Sequence, residues 1–239
     1  MGQKKLIRFA AIRSFHNVLE YPENMAGKWG HFFEKPQPLT LELACGKGEY
    51  AVGLGRMYPE RNFLGVDVKG NRLYVGAKTA REEGLGNVGF LRTQIDRIEQ
   101  YFATGEVDEI WLPFPDPQLR ISRIRKRLTH PKFLRKYAAF LKPGGLIHLK
   151  TDSPVLFQFT QQVIELYGCK KVKQYENVET EADEKELRLI KTHYEALDIA
   201  NSGLIHYLQF ALPASLDEGL DKRLKELTET LPGETDTTI

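Results

Sequence analysis

Apolar positions in this chain gather into short β-favouring runs, separated by longer stretches of helical period. Leu39–Ala44 (LTLELA), Asn62–Val68 (NFLGVDV), Val88–Leu91, Ile110–Leu112 and Leu146–Leu149 are brief and mostly apolar, the pattern of strands covered on both faces. Between them the spacing predicts helices over Glu49–Met57, Asn71–Glu83, His130–Leu141 and Val155–Tyr167. Gly84 caps the second of these, and Lys142-Pro143-Gly144-Gly145 is a strong stop after the third. Lys170–Asn177 predicts a sixth strand, Glu179–Glu186 an acidic loop and Leu204–Phe210 a seventh strand, with an amphipathic helix reaching about Leu231. The first forty residues are basic, then aromatic, and show no clear period. Lys28 and Trp29, just ahead of the first strand, read as a surface lysine beside a packing indole. Alternation of strand and helix predicts an α/β fold, doubly wound around a mostly parallel seven-stranded sheet. The 239 residues divide into an extension (1–38), the main domain (39–212) and a helix with a polar tail (213–239).

Charge changes the picture at one place. The formal net charge of +2 is too small to imply a nucleic-acid partner, but its distribution is uneven. Strand Val107–Leu112 runs into Phe114-Pro115-Asp116-Pro117, where two prolines stiffen the turn and hold Asp116 out of any helix. From Arg120 to Lys136 come five arginines and three lysines with no acid among them. A rigid carboxylate at a strand end suits a ligand group in an open α/β sheet. The cations after it, Arg123, Arg125, Lys126 and Arg127, suit phosphates. The stretch from Asp217 to Asp236 leans acidic.

A second constellation lies earlier. Strand Leu39–Ala44, the glycine turn Cys45-Gly46-Lys47-Gly48 and a helix bring backbone close to a charged ligand, and Asp67 ends the next strand, where ribose hydroxyls are commonly held. Gly46-x-Gly48-x-x-Ala51 also satisfies a loose dinucleotide fingerprint, so a nicotinamide enzyme is one reading. Glu42, four residues before Gly46, gives E-x-x-x-G-x-G, which resembles the first methyltransferase motif and favours S-adenosylmethionine. Other chemistries lack equipment. The six histidines and two cysteines show no metal-ligand spacing, and there is no G-x-S-x-G elbow or Walker loop. Cys45 and Cys169 make no disulfide framework, Leu6 stands where myristoylation needs a hydroxyl residue, and no apolar run is long enough to span a bilayer. A cytoplasmic protein without membrane partner is expected.

Taken in order, E-L-A-C-G-K-G, G-V-D-V, L-P-F-P-D-P, R-K-R-L, T-D and T-H-Y-E resemble the bacterial tRNA (guanine-N7)-methyltransferases, the TrmB family, over roughly Gly27 to Phe210. The resemblance implies a Rossmann-like class I methyltransferase fold. It also implies methyl transfer from S-adenosylmethionine to the variable-loop guanine of tRNA, nucleotide 46 by tRNA convention. Glu42, Gly46, Gly48, Asp67 and Gln94 then fall on cofactor positions, and Asp116 on the catalytic acid, also near the cofactor. Arg120, Asp152, Thr192 and Glu195 fall on substrate contacts. Ala44 replaces the usual first glycine, Gln94 an acid, Gln118 a tryptophan and Arg120 a lysine. The partner implied is tRNA rather than DNA, for a monomer or homodimer, with no metal. A non-catalytic structured-RNA-binding protein on the same scaffold is the alternative from another class; retention of the cofactor and substrate acids argues against it.

Overall fold

Every residue of Leu39–Leu43 (β2) and Asn62–Asp67 (β3) is buried, because these strands lie mid-sheet with helices on both faces. The computed structural model describes residues 2–193, 195–197 and 203–228. Its other strands are β1 (Val18–Glu20), β4 (Val88–Arg92), β5 (Val107–Pro113), β6 (Leu141–Thr151), β7 (Lys170–Tyr175) and β8 (His206–Ala211). The order is β1-β4-β3-β2-β5-β6-β8-β7, with β8 antiparallel to both neighbours and the remaining pairs parallel. Strand order reverses between β2 and β5, which opens a crevice at the C-terminal strand ends.

The helices are α1 (Gly2–Ile12), α2 (Trp29–Phe32), α3 (Glu49–Met57), α4 (Gly70–Glu82), α5 (Pro131–Ala138), α6 (Pro154–Leu166), α7 (Val178–Glu181), α8 (Lys185–Leu189) and α9 (Asp221–Thr228). Strand side chains alternate between two cores: Leu64, Leu91, Ile110 and Leu112 face one, while Phe63, Phe90 and Trp111 face the other. Trp29 belongs to the first core, as a packing indole should, and donates to the Tyr101 carbonyl at 2.8 Å.

Three expectations change. The sheet has eight strands rather than seven, because three residues of the N-terminal extension, β1, pair with β4. A strand that short carries no readable period. The helix expected to reach Leu141 stops at Ala138, and Lys142–Gly145 lies inside β6, whose register shifts opposite Val107 and Glu109. Gly145 is required there, since a Cβ would stand 2.9 Å from the Asp108 carbonyl oxygen. The expected acidic loop holds the short helices α7 and α8, anchored by buried Val178 and Leu187. The polar tail beyond Thr228 lies outside the described residues. Among those described, no helix is long and apolar enough to cross a membrane.

His130 caps α5: its Nδ1 accepts from the Lys132 amide at 3.0 Å, with Pro131 at the first helical position. Burial pulls its pKa down to about 4; the Asp221 carboxylate opposes the shift, and the nearby cations Arg125, Arg135 and Lys132 add to it. An unfolded histidine titrates near 6.5, so between these values the unfolded chain binds more protons than the folded one. Stability is therefore complete above about pH 6.5 and falls as pH drops towards 4. Urea unfolding at pH 7.5 and 5.0 should differ by about 2 kcal/mol from this residue. His130→Asn keeps a cap acceptor and should remove most of that difference; an unchanged pH dependence would discount the cap.

Candidate active site

A cavity of about 1020 Å³ opens at the C-terminal ends of β2 to β6. Each strand contributes residues at or just beyond its end: Ala44, Asp67, Thr93 to Asp96, Phe114 to Pro117, and Asp152 to Val155. Ala44, at the start of the glycine turn, lies on the wall, and the turn behind it shapes that wall. Ala44, Gly46 and Gly48 hold φ of 56°, 57° and 72°, and a Cβ on Gly48 would meet the Phe90 ring at 2.4 Å. The Gly46 amide donates to Asp67 Oδ2 at 2.9 Å and the Lys69 amide to Oδ1 at 2.8 Å, so Asp67 is aimed by backbone from both sides. Gly46 and Gly48 are themselves buried and shape this wall rather than line it. Glu42 requires a correction. It does not line the cavity: its carboxylate is 3% exposed and accepts from the Ala51 amide at 2.7 Å, holding the start of α3. Burial pushes its pKa well above the usual carboxylate range.

The opposite wall is the turn after β5. Phe114 and Gln118 both hold φ of 48°, a left-handed backbone at non-glycine residues, costing roughly 1–2 kcal/mol each. Between them Asp116 is exposed, with Oδ1 accepting from the Gln118 amide at 3.0 Å. Arg127 was expected on phosphate, and the structure overturns this. It is fully buried, donating to the Pro117 carbonyl at 2.9 Å and the Gln118 carbonyl at 3.2 Å, with its guanidinium 4.6 Å from the Phe159 ring centre. A guanidinium that braces two turn carbonyls from inside is not available to solvent.

The rest of the basic run divides by geometry. A 3-10 helix over Ile121–Lys126 buries Ile124 and exposes Arg123, Arg125 and Lys126; Arg120 is exposed just before it. None of these four forms an ion pair among the described residues. Lys126 lines the cavity; Arg120 does not. Lys132, Arg135 and Lys136 are neutralised by Asp96, Asp221 and Glu99.

Asp152 and Gln94 reach the cavity with Asp67 and Asp116, as their positions at strand ends imply. Thr192 and Glu195 stand outside its wall and are tied to each other. The Glu195 amide donates to Thr192 Oγ1 at 3.0 Å and the Thr192 amide to Glu195 Oε2 at 3.4 Å, a capping box at the start of a 3-10 turn. Glu195 Oε2 also accepts from Lys150 Nζ at 3.1 Å, and Oε1 from Lys191 Nζ at 2.8 Å, so both oxygens expected on substrate are engaged within the chain. Tyr194, inside the same motif, lies outside the described residues. Sequence reasoning also missed Lys69, Arg72, Asp96 and Lys132 on the cavity wall, which carry no pattern of their own. Lys150 had a signal: a lysine set in the apolar run L-I-H-L-K-T-D.

Replacing Arg127 by Lys keeps a charge but loses the planar fork that spans two carbonyls. Arg127→Lys should lower unfolding free energy by about 2 kcal/mol, the scale of one charge-assisted hydrogen bond. Wild-type stability in urea would return Arg127 to the exposed cations.

Residues 36–206 match the family model Methyltransf_4, described as "Putative methyltransferase". The chain is similar to the tRNA (guanine-N(7)-)-methyltransferase of Bacteroides thetaiotaomicron, 44% identical over 222 residues, 89% of this chain and 87% of the relative. That of Christiangramia forsetii is 44% identical over 223 residues, 89% of this chain and all of the relative. Among solved structures, the 16S rRNA methyltransferase KamB superposes with TM-score 0.55 at 17% identity, over 74% of this chain and 89% of that one. An antibiotic-related methyltransferase gives 0.54 at 15%, over 73% and 87%. These two likenesses concern the fold, which is that of class I S-adenosylmethionine-dependent methyltransferases. By sequence, the chain belongs to the tRNA (guanine-N(7)-)-methyltransferase family.

Proposed function

We propose that this protein transfers a methyl group from S-adenosylmethionine to N7 of the variable-loop guanine of tRNA, nucleotide 46, in the cytoplasm. The observation that carries the reading is the meeting of Asp67 and Asp116 on one cavity whose rim is cationic. The residues present fit the cofactor. Asp67 keeps lone pairs for ribose hydroxyls beyond the two amides it accepts from, and Gln94 offers an amide to a purine edge. The left-handed Ala44–Gly48 backbone lets the wall approach closely, and about 1020 Å³ holds a nucleoside-sized ligand with room for a base. When bound, the cofactor supplies an electrophilic methyl on a sulfonium.

The chain's own work is positioning and charge. Guanine N7 carries a lone pair at neutral pH, so the protein need not remove a proton before attack. Methylation leaves the purine cationic, and the Asp116 and Asp152 carboxylates beside the cavity favour that charge as it develops. Guanine also presents two donors, N1–H and the N2 amino group, which one carboxylate can accept together; adenine would set a lone pair against it. Asp116 gives one lone pair to the Gln118 amide and retains acceptors on both oxygens. Its left-handed flanks and the Arg127 brace hold it in place before substrate arrives.

Asp116→Asn keeps the shape, replaces an acceptor by a donor and removes the charge. It should bind S-adenosylmethionine as the wild type does, yet lose at least about a hundredfold in single-turnover methylation of tRNA. A near-wild-type rate would reduce Asp116 to a turn residue. The exposed cations are tested by salt. If Arg123, Arg125 and Lys126 each meet a phosphate, they contribute about −2 to −3 to the log–log slope of tRNA affinity against salt. The Arg123→Ala/Arg125→Ala double variant should flatten that slope by about one to two units without changing cofactor affinity. An unmoved slope would make these side chains a solvated face.

A further inference from the structure

Lys150 stands near the end of β6, two residues before Asp152, and is fully buried. Its ammonium donates to the Leu187 carbonyl at 2.8 Å and to Glu195 Oε2 at 3.1 Å. It lies 5.7 Å from the ring centres of both Tyr50, in the first turn of α3, and Phe114, in the strained turn. The Lys150 carbonyl accepts from the Phe114 amide at 2.8 Å. One residue therefore touches the glycine-loop helix, the Asp116 turn, helix α8 and the Thr192–Glu195 motif. A buried ammonium is costly unless paired, and burial pulls the pKa of this one down while Glu195 opposes the shift.

We propose that Lys150 is a positioning residue for methyl transfer: its bonds to Leu187 and Glu195 lock helix α8 and the Thr192–Glu195 pair to the strand ends bearing Phe114 and Asp116. The supporting contacts all run in this direction. Lys191, which is exposed, adds a second ion pair to Glu195 at 2.8 Å and one to Glu179 of α7 at 2.5 Å, tying the segment around Glu195 to α7. The His193 amide donates to Glu49 Oε1 at 3.3 Å and so ties the segment to the first residue of α3. Tyr58 donates to Glu186 at 3.0 Å from the far end of α3. Lys150 is the point at which this segment meets the turn that carries Asp116. The proposal rests on the assignment of Asp116 to the reaction.

The test is a mutant cycle in the full chain with saturating tRNA and S-adenosylmethionine. Lys150→Met keeps the length and apolar stem. It should lower the single-turnover rate by about ten- to a hundredfold, the scale of a misplaced catalytic group. KM for tRNA and the dissociation constant for S-adenosylmethionine should stay within about threefold, because Lys150 is buried and lines no part of the cavity. In the Lys150→Met/Glu195→Gln double variant no buried charge is left unpaired, and the rate should recover part of what Lys150→Met lost. A wild-type rate in Lys150→Met, or losses that multiply in the double variant, would overturn the proposal. If Lys150→Met proves too unstable to isolate, the double variant alone decides, since a wild-type rate in it also overturns the lock. Asp116→Asn run alongside separates the two ideas. If it is inactive while Lys150→Met is normal, only the lock fails; if it is active, the assignment of Asp116 fails and the proposal with it.

Discussion

Two left-handed residues that are not glycine bound the turn carrying Asp116, and the chain holds them there with a buried guanidinium. Phe114 and Gln118 each cost about 1–2 kcal/mol of backbone strain, which persists only where the surroundings over-determine it. Arg127 does so from one side through the Pro117 and Gln118 carbonyls, and β6 from the other through the Lys150 carbonyl. The core beneath supplies the rigidity, since Leu112 of β5 and Phe159 of α6 are both fully buried. Cavity shape, the aim of Asp116 and the course of the basic segment all depend on this arrangement.

The same constraint sorts the basic run. Eight cations lie between Arg120 and Lys136, and tertiary contacts give them three fates. Arg127 is consumed by the turn; Lys132, Arg135 and Lys136 are matched by acids from the segment after β4 and from α9. The other four are exposed: Arg120 just before a 3-10 helix, and Arg123, Arg125 and Lys126 on it, where Ile124 is buried and Lys126 lines the cavity. The cavity wall itself carries both signs, with Lys69, Arg72, Lys126 and Lys132 beside Asp67, Asp96, Asp116 and Asp152.

Carboxylates that look alike along the chain take different work according to depth. Asp67 and Asp116 sit at strand ends, where backbone amides aim them and lone pairs remain for a ligand. Glu42 is inside a strand, so its charge is driven back by desolvation and its oxygen serves the first turn of α3. Glu195 is paired with a fully buried lysine and holds a segment in place. All four acids fall within the motifs quoted from the sequence, yet two line the cavity and two are held inside the chain.

Much was legible beforehand. Apolar runs and glycine punctuation place β2 to β5, the buried end of β6 and most helices within a few residues, since strands covered on both faces must be apolar throughout. The strand-end rule brings Asp67, Gln94, Asp116 and Asp152 to one cavity, because topology alone determines where those ends meet. Sequence could not give β1, whose three residues are specified by the free edge of β4 rather than by their own pattern. Nor could it tell Arg127 from Arg125, or Glu195 from Asp116. Whether a charge faces water, a carbonyl or an opposite charge depends on residues distant in the chain, and only the packed structure decides which arrives beside it.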